Sequence, residues 1–149
     1  MKKELMDWGQ CTKEYIREVD VDIDKVNSIL RMCTVRLRIV KGIGLDGETA
    51  SVIAEDYYEI IKELLTALLL LHGLKSDNHE CLIAFFKRTY SDKEYEVGVI
   101  FELKRIRNRI SYDGFFVDEM YVQMNRLEFE HIITFVETEI KEKLKNYKD

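Results

Sequence analysis

The segment FELKRIRNRISYDGFF, residues 101–116, decides the fold that we predict for this chain. Its apolar residues continue a stripe with spacings of 4, 3 and 4, made up of Val99, Leu103, Ile106 and Ile110. This spacing is typical of the buried face of an α-helix. Gly114 then stands where a helix C-terminus favours a residue in the left-handed conformation. We therefore predict an amphipathic helix that ends at Asp113-Gly114.

The same helix concentrates positive charge. Four of its residues are cations with no acidic residue among them: Lys104, Arg105, Arg107 and Arg109. The chain as a whole is acidic, with a formal net charge of -5 at pH 7. The helix dipole favours cations near a C-terminal end, so part of this charge needs no function. The remainder makes this helix end the first candidate for a binding site.

Helical periodicity also predicts the other main elements. One helix begins near the Asp20–Asp24 cluster and continues through Val40, and the strongest pattern covers residues 48–73. Ser76-Asp77 is expected to cap a helix that ends near Tyr90, and Ser91-x-x-Glu94 is a candidate capping box for the basic helix. Asp118-Glu119 opens a last helix whose apolar side is expected to consist of Met124, Leu127, Ile132, Phe135, Ile140 and Leu144.

The loop GIGLDG, residues 42–47, leaves one alternative open. It matches G-x-G-x-x-G, and the preceding residues 34–40 alternate as a strand would, which is the context of a dinucleotide-binding turn. The helical pattern that starts at Val26 runs through the same residues, which favours an interhelical loop. We therefore predict an all-α protein, an antiparallel up-and-down bundle of four or five main helices. It is expected to form one domain over residues 1–149, with residues 1–20 peripheral.

Composition limits the classes of function. The longest apolar block, residues 67–71, is far shorter than the roughly 20 residues that cross a bilayer, so a cytoplasmic protein without a membrane partner is expected. The odd count of cysteines without CxxC spacing predicts three buried free thiols: Cys11, Cys33 and Cys81. The histidines show no HxxxH or HxH spacing, so neither a metal site nor a cofactor is predicted. His131 is expected to lie in the core.

The segment KRIRNRISYDG resembles the signature of the HEPN domain family, an all-helical fold of archaeal and bacterial proteins. That signature is an arginine, a polar residue and then a histidine after four to six intervening residues. Arg107 and Asn108 match its first two positions, and Tyr112 stands at the histidine position. Residues 54–86 also resemble the second and third helices of the family. The resemblance covers roughly residues 20–145.

The resemblance implies a homodimer in which two copies of the motif face each other across a cleft. Active members are metal-independent ribonucleases, others are toxins paired with a small nucleotidyltransferase antitoxin, and some bind RNA or nucleotides without cleavage. The site implied here consists of Arg107 and Tyr112 as candidate catalytic residues. RNA or phosphate would be bound by Lys104, Arg105, Arg107, Asn108 and Arg109.

The tyrosine at position 112 alters the expected chemistry. Histidine exchanges protons near neutral pH, whereas tyrosine titrates near pH ~10 in reference peptides. We therefore expect a module that binds RNA or a nucleotide phosphate with reduced or no ribonuclease activity. An active endoribonuclease and a non-catalytic interaction domain remain alternatives. In the last case Arg107 and Asn108 would only cap the helix end, and Tyr112 would pack against the bundle.

Overall fold

The computed structural model describes residues 4–147. Within this range the chain forms six α-helices and one short two-stranded ribbon. The helices are α1 (Trp8–Glu14), α2 (Ile23–Lys41), α3 (Ala50–Leu71), α4 (His79–Thr89), α5 (Glu94–Asp113) and α6 (Glu119–Leu144). The strands β1 (Arg17–Glu18) and β2 (Leu74–Lys75) pair antiparallel, and a 3-10 turn covers Lys145–Tyr147. The all-α prediction is confirmed, and the ribbon was not predicted.

Helix α3 lies at the centre of the fold. Its residues are buried on nearly every face, and it packs against α2, α4, α5 and α6. Ser51, near its first turn, accepts a hydrogen bond of 2.8 Å from the backbone nitrogen of Val117. This bond fixes the loop between α5 and α6 on α3. Ser111, near the end of α5, contacts Glu55, near the start of α3, so these two helices run antiparallel.

Several predicted helix ends are confirmed. Asp22 caps α2 and Asp118 caps α6, each accepting a backbone hydrogen bond with its carboxylate. Gly114 follows α5 with φ of +64°, a conformation that glycine adopts without a steric penalty from a Cβ atom. Two predicted caps are wrong: Asn78, not Ser76-Asp77, caps α4, and α5 begins after Lys93 without a side-chain cap from Ser91.

The glycine-rich segment is an interhelical loop. Residues 34–40 belong to α2, so the strand that a dinucleotide-binding turn requires is absent there. Asp46 organises the end of the loop, because its carboxylate accepts hydrogen bonds from the backbone of Glu48 and Thr49. The dinucleotide-binding alternative is therefore wrong, and the interpretation as a loop is confirmed.

The prediction of three free thiols is wrong for two of the cysteines. Cys11 on α1 and Cys81 on α4 form a disulfide, with their Cα atoms 5.6 Å apart. These residues are 70 positions apart in the chain, and the packing of α1 against α4 brings them together. Cys33 is free and buried, and its burial raises its pKa to about 12, so this thiol is unreactive at neutral pH.

The last helix differs from its predicted orientation at its N-terminal end. Met124 and Leu127 were expected in the core, but their side chains are 76% and 80% exposed. The core positions of this region are instead Val122 and Phe129. Two apolar sets therefore occupy different faces of α6, and a pattern of apolar spacing alone does not tell which set is buried. None of the helices in the described part of the chain is long and apolar enough to span a membrane.

Candidate functional site

Helical geometry divides the four cations of α5 into two pairs. Residues three or four apart lie on the same face of a helix, so Lys104 and Arg107 share one face and Arg105 and Arg109 share another. A residue advances roughly 100° around the helix, which places Arg105 on nearly the opposite side from Arg107. The predicted site is therefore split, and only one pair faces the interior of the bundle.

The outward pair is used in local contacts. The Arg105 guanidinium lies 3.5 Å from the carboxylate of Glu102 one turn earlier, and both side chains are about half exposed. The Arg109 guanidinium stacks over the ring of Phe115, with 3.8 Å from its central carbon to the ring centroid. An exposed ion pair and a stacking contact of this kind have ordinary structural explanations.

Arg107 has a different environment. Its side chain is half-buried against α3, with its central carbon 5.8 Å from the ring centroid of Tyr58. One terminal nitrogen donates a long hydrogen bond of 3.4 Å to the side-chain oxygen of Asn108. Within residues 4–147, no carboxylate lies within ion-pair distance of this guanidinium. Arginine offers five N–H donors, so most of the donors of Arg107 are available to a ligand.

A histidine that the sequence analysis did not select shares Tyr58 with Arg107. His79 is the first residue of α4, and its Nδ1 atom lies 3.3 Å from the hydroxyl of Tyr58. Tyr58 is only 2% exposed, and burial raises its pKa, so the hydroxyl keeps its proton. The hydroxyl can donate to Nδ1 of an imidazole that carries its proton on Nε2, or accept from Nδ1–H of the other tautomer, in which Nε2 is free. Tyr58 thus orients the imidazole ring.

Burial and positive neighbours together lower the pKa of His79. Partial burial is the largest cause, followed by the charges of Lys62 and Arg107, with a smaller contribution from Lys104. Glu59 acts in the opposite direction. Three cations and a half-buried imidazole therefore lie close enough to influence one another. We call Tyr58, Lys62, His79, Lys104 and Arg107 the His79–Arg107 cluster.

A groove extends from this cluster along α3. It has a volume of about 190 Å³, and its positively charged lining is formed by Lys25, Lys62 and Lys75 together with the imidazole of His79. Glu63 and Asp77 also line it, and Lys62 contacts Glu59 and Glu63 at 2.8 and 3.5 Å. The groove is therefore mixed in charge, and it shares Lys62 and His79 with the cluster.

Tyr112 lies apart from the cluster. Its side chain is 78% exposed, which excludes the alternative in which it packs against the bundle. It follows Arg107 by five residues, or roughly 140° around the helix, so the two side chains leave α5 on different faces. Arg36 is not part of the groove lining; it lines a different cavity, formed with Cys33 and Glu63 between α2 and α3.

Arg126, another half-buried arginine, has a structural role, and its hydrogen-bond partners can be compared with those of Arg107. Arg126 donates hydrogen bonds of 3.1 Å to the Tyr57 hydroxyl and to the backbone oxygen of Val40, and it lies 3.9 Å from Glu130. Its donors thus join α2, α3 and α6. Arg107 has no comparable set of partners among the described residues, although it is buried to a similar degree.

Comparison with models of known families, with curated proteins and with solved structures finds no match for this chain. The role of the His79–Arg107 cluster must therefore be inferred from its own chemistry.

The first prediction concerns the protonation of His79. Its pKa measured by NMR should lie below the ~6.5 of an unperturbed histidine. Arg107→Gln should raise that pKa because it removes a positive charge that opposes protonation. Arg105→Gln is the matched control, since it removes the same charge from the other face of α5. An ordinary pKa for His79, or equal effects of the two substitutions, would contradict the geometry described here.

The same shift sets the sign of a stability effect. A folded-state pKa below the unfolded value means that the unfolded chain binds more protons as the pH falls past ~6.5. The contribution of His79 to stability is therefore present above this pH and is lost below it. The free energy of unfolding can be measured with urea at pH 7.5 and at pH 5. Between these two pH values it should decrease less for His79→Asn than for the wild type.

Proposed function

We propose that the protein binds single-stranded RNA through a backbone phosphate held at the His79–Arg107 cluster. The proposal keeps the RNA-binding function that the sequence resemblance implied. It differs in the residues involved, because Arg105 and Arg109 belong to another face of α5 and His79 joins the site.

The observation that carries this proposal is the unpaired, half-buried guanidinium of Arg107. Removing a charged group from water is unfavourable unless another interaction replaces its hydration. Arg126, buried to a similar degree, obtains such interactions from protein groups. A phosphate would supply them to Arg107 through two parallel charge-assisted hydrogen bonds, the geometry that a guanidinium matches best.

The electrostatics of the chain favour local binding. With a net charge of -5, the protein as a whole repels a polyanion, so extensive coating of RNA is disfavoured. The groove with Lys25, Lys62 and Lys75 also contains His79, so it would offer positions for phosphates next to one bound at the cluster. A short single strand suits such a groove better than a duplex, since its backbone can follow an irregular path.

The second prediction tests this binding with a matched pair of substitutions. Arg107→Gln should weaken the binding of a short single-stranded RNA about 10- to 100-fold, because one charge-assisted phosphate contact is lost. Arg105→Gln removes the same charge two residues away and should have a much smaller effect. Fluorescence anisotropy at several salt concentrations measures both, and the salt dependence should decrease by about one ion in the Arg107 variant.

Equal weakening by the two substitutions would show that only net charge matters, and would contradict a defined phosphate site. Absence of RNA binding by the wild type at low salt would overturn the proposal. In that case the interpretation as an interaction domain becomes the better one.

Cleavage of RNA is the second candidate function, and His79 is the observation that favours it. The sequence offers no histidine at position 112, but the fold supplies one next to Arg107 from a different helix. In the tautomer whose Nδ1–H donates to the Tyr58 hydroxyl, Nε2 is free to accept a proton from an RNA 2′-hydroxyl. A guanidinium can stabilise the charge that develops on the phosphate. Tyr58 would then hold the imidazole in a fixed orientation.

The third prediction separates binding from cleavage. If the protein cuts RNA, the reaction should proceed in EDTA, and His79→Asn should reduce its rate 100-fold or more, since general acid–base catalysis contributes roughly 10²–10⁴-fold. Binding by this variant should weaken less than about tenfold, because a neutral imidazole contributes at most one uncharged hydrogen bond to the phosphate. Tyr112→Phe serves as the control and should retain activity. A wild type that binds RNA without cutting it would contradict the catalytic role and leave the binding role intact.

An exposed apolar stripe on α6 is the surface that we assign to a homodimer. Met120, Met124 and Leu127 follow each other at spacings of 4 and 3, and Phe116 lies just before the helix; all four are more than half exposed. Soluble monomers rarely expose a continuous apolar stripe of large side chains. Packing two such stripes across a two-fold axis buries the same surface on both copies. Pairing with a small nucleotidyltransferase stays a prediction from the sequence alone.

The fourth prediction tests this dimer. Leu127→Asp places a charge in the stripe and should shift the protein from dimer to monomer in sedimentation equilibrium, because an unpaired carboxylate would be buried at the interface. Met32→Asp is the control, since Met32 is an exposed apolar residue on α2. A wild type that is monomeric at high concentration would contradict the assignment of this surface.

A further inference from the structure

A second group of polar residues lies between α5 and α6, outside the His79–Arg107 cluster. Glu96 on α5 and Glu128 and His131 on α6 bring three possible metal-binding atoms within 4.8 Å of one another. His131 was expected in the core but is exposed, with Nδ1 located 3.7 Å from an oxygen of Glu128. We propose that these three side chains bind one divalent transition-metal ion.

The arrangement of the donors follows from two helices. Glu128 and His131 are three residues apart and therefore project from the same face of α6. A Glu-x-x-His pair of this spacing, joined by glutamates of other helices, is a ligand pattern of metal-binding helical bundles. Glu96 supplies the ligand from the neighbouring helix here. HxxxH and HxH spacings require two histidines and therefore do not reveal a site built from one histidine and two glutamates.

The charges in this group favour a bound cation. In the part of the chain from residue 4 to residue 147, neither Glu96 nor Glu128 pairs with a lysine or arginine. Lys93 is nearby, but its ammonium lies over the ring of Phe135, 4.6 Å from the centroid. Two carboxylates that face each other repel, and an ion between them would convert this repulsion into attraction.

The distances are close to those that a metal needs. Tetrahedral ligands around Zn²⁺ at bond lengths of ~2.1 Å lie about 3.4 Å apart. The 3.7 Å between His131 and Glu128 is near this value, and the glutamate side chains can rotate to close the remaining separation. Phe86, Ile132 and Phe135 line a shallow depression beside Glu96 and His131 and give the site an apolar floor, and Lys93 also borders it.

The ligand set selects the class of ion. One imidazole nitrogen and two carboxylates suit Zn²⁺, Mn²⁺ or Fe²⁺, whereas Mg²⁺ prefers oxygen ligands and retains its water. Three protein ligands leave at least one coordination position for water or another small molecule. This inference does not rest on the RNA-binding proposal, because it uses residues on α5 and α6 that are absent from the His79–Arg107 cluster.

The fifth prediction is tested by calorimetric titration of the full chain with Zn²⁺. The wild type should bind one ion per chain, and Glu96→Gln, Glu128→Gln and His131→Ala should each weaken binding at least about tenfold. His72→Ala removes another exposed histidine and should bind as the wild type does. Mg²⁺ at the same concentration should give no comparable heat. A wild type without Zn²⁺ binding, or His131→Ala with unchanged affinity, would overturn the proposal.

Thermal unfolding supplies a second, independent readout. In EDTA, Glu96→Gln should raise the melting temperature slightly, because it removes repulsion between two carboxylates. With Zn²⁺ the wild type should have the higher melting temperature, since it binds the ion more tightly and gains more stability from it. An identical ranking of the two proteins with and without Zn²⁺ would contradict the site, whatever the effect of the substitution on folding.

Discussion

Burial of α3 on nearly all sides is the constraint on which the rest of the structure depends. A helix that is surrounded by other helices must find a partner for every polar atom that it carries, because an unpaired buried polar group is costly. Ser51 forms a hydrogen bond with the α5–α6 loop, and Tyr57 forms hydrogen bonds with Glu130 and Arg126. The Tyr58 hydroxyl forms a hydrogen bond with His79. Each of these contacts fixes a neighbouring element against α3. The candidate site depends on the contact between Tyr58 and His79, since Tyr58 orients the imidazole and its ring also faces Arg107.

The sequence predicted the helices well and the site only in part. Apolar spacing and glycine positions located α2, α3, α5 and α6 because these signals are local and follow the helical repeat. The separation of Arg107 from Arg105 also follows from that repeat and could have been predicted. The position of His79 could not, since it depends on how α4 packs against α3. The Cys11–Cys81 disulfide and the exposed faces of Met124 and Leu127 were missed for the same reason: each depends on which elements meet in space.

The molecule thus presents three surfaces with different chemistry. A cationic cluster lies where α3, α4 and α5 meet, an apolar stripe follows α6, and a group of carboxylates with one histidine lies between α5 and α6. The acidic net charge makes the first surface a local exception, because the protein as a whole repels a polyanion. The proposed RNA-binding, self-association and metal sites consist of different side chains, so a substitution in one of them need not affect the others.

The central claim is that an anion occupies the space beside His79 and Arg107. The most direct test is the NMR titration of the His79 imidazole in the presence and absence of saturating single-stranded RNA. A bound phosphate would offset the positive charges that now oppose protonation, so the account predicts that RNA raises the pKa of His79. An unchanged pKa at saturation, while the RNA is bound, would place the nucleic acid elsewhere on the protein and contradict the account.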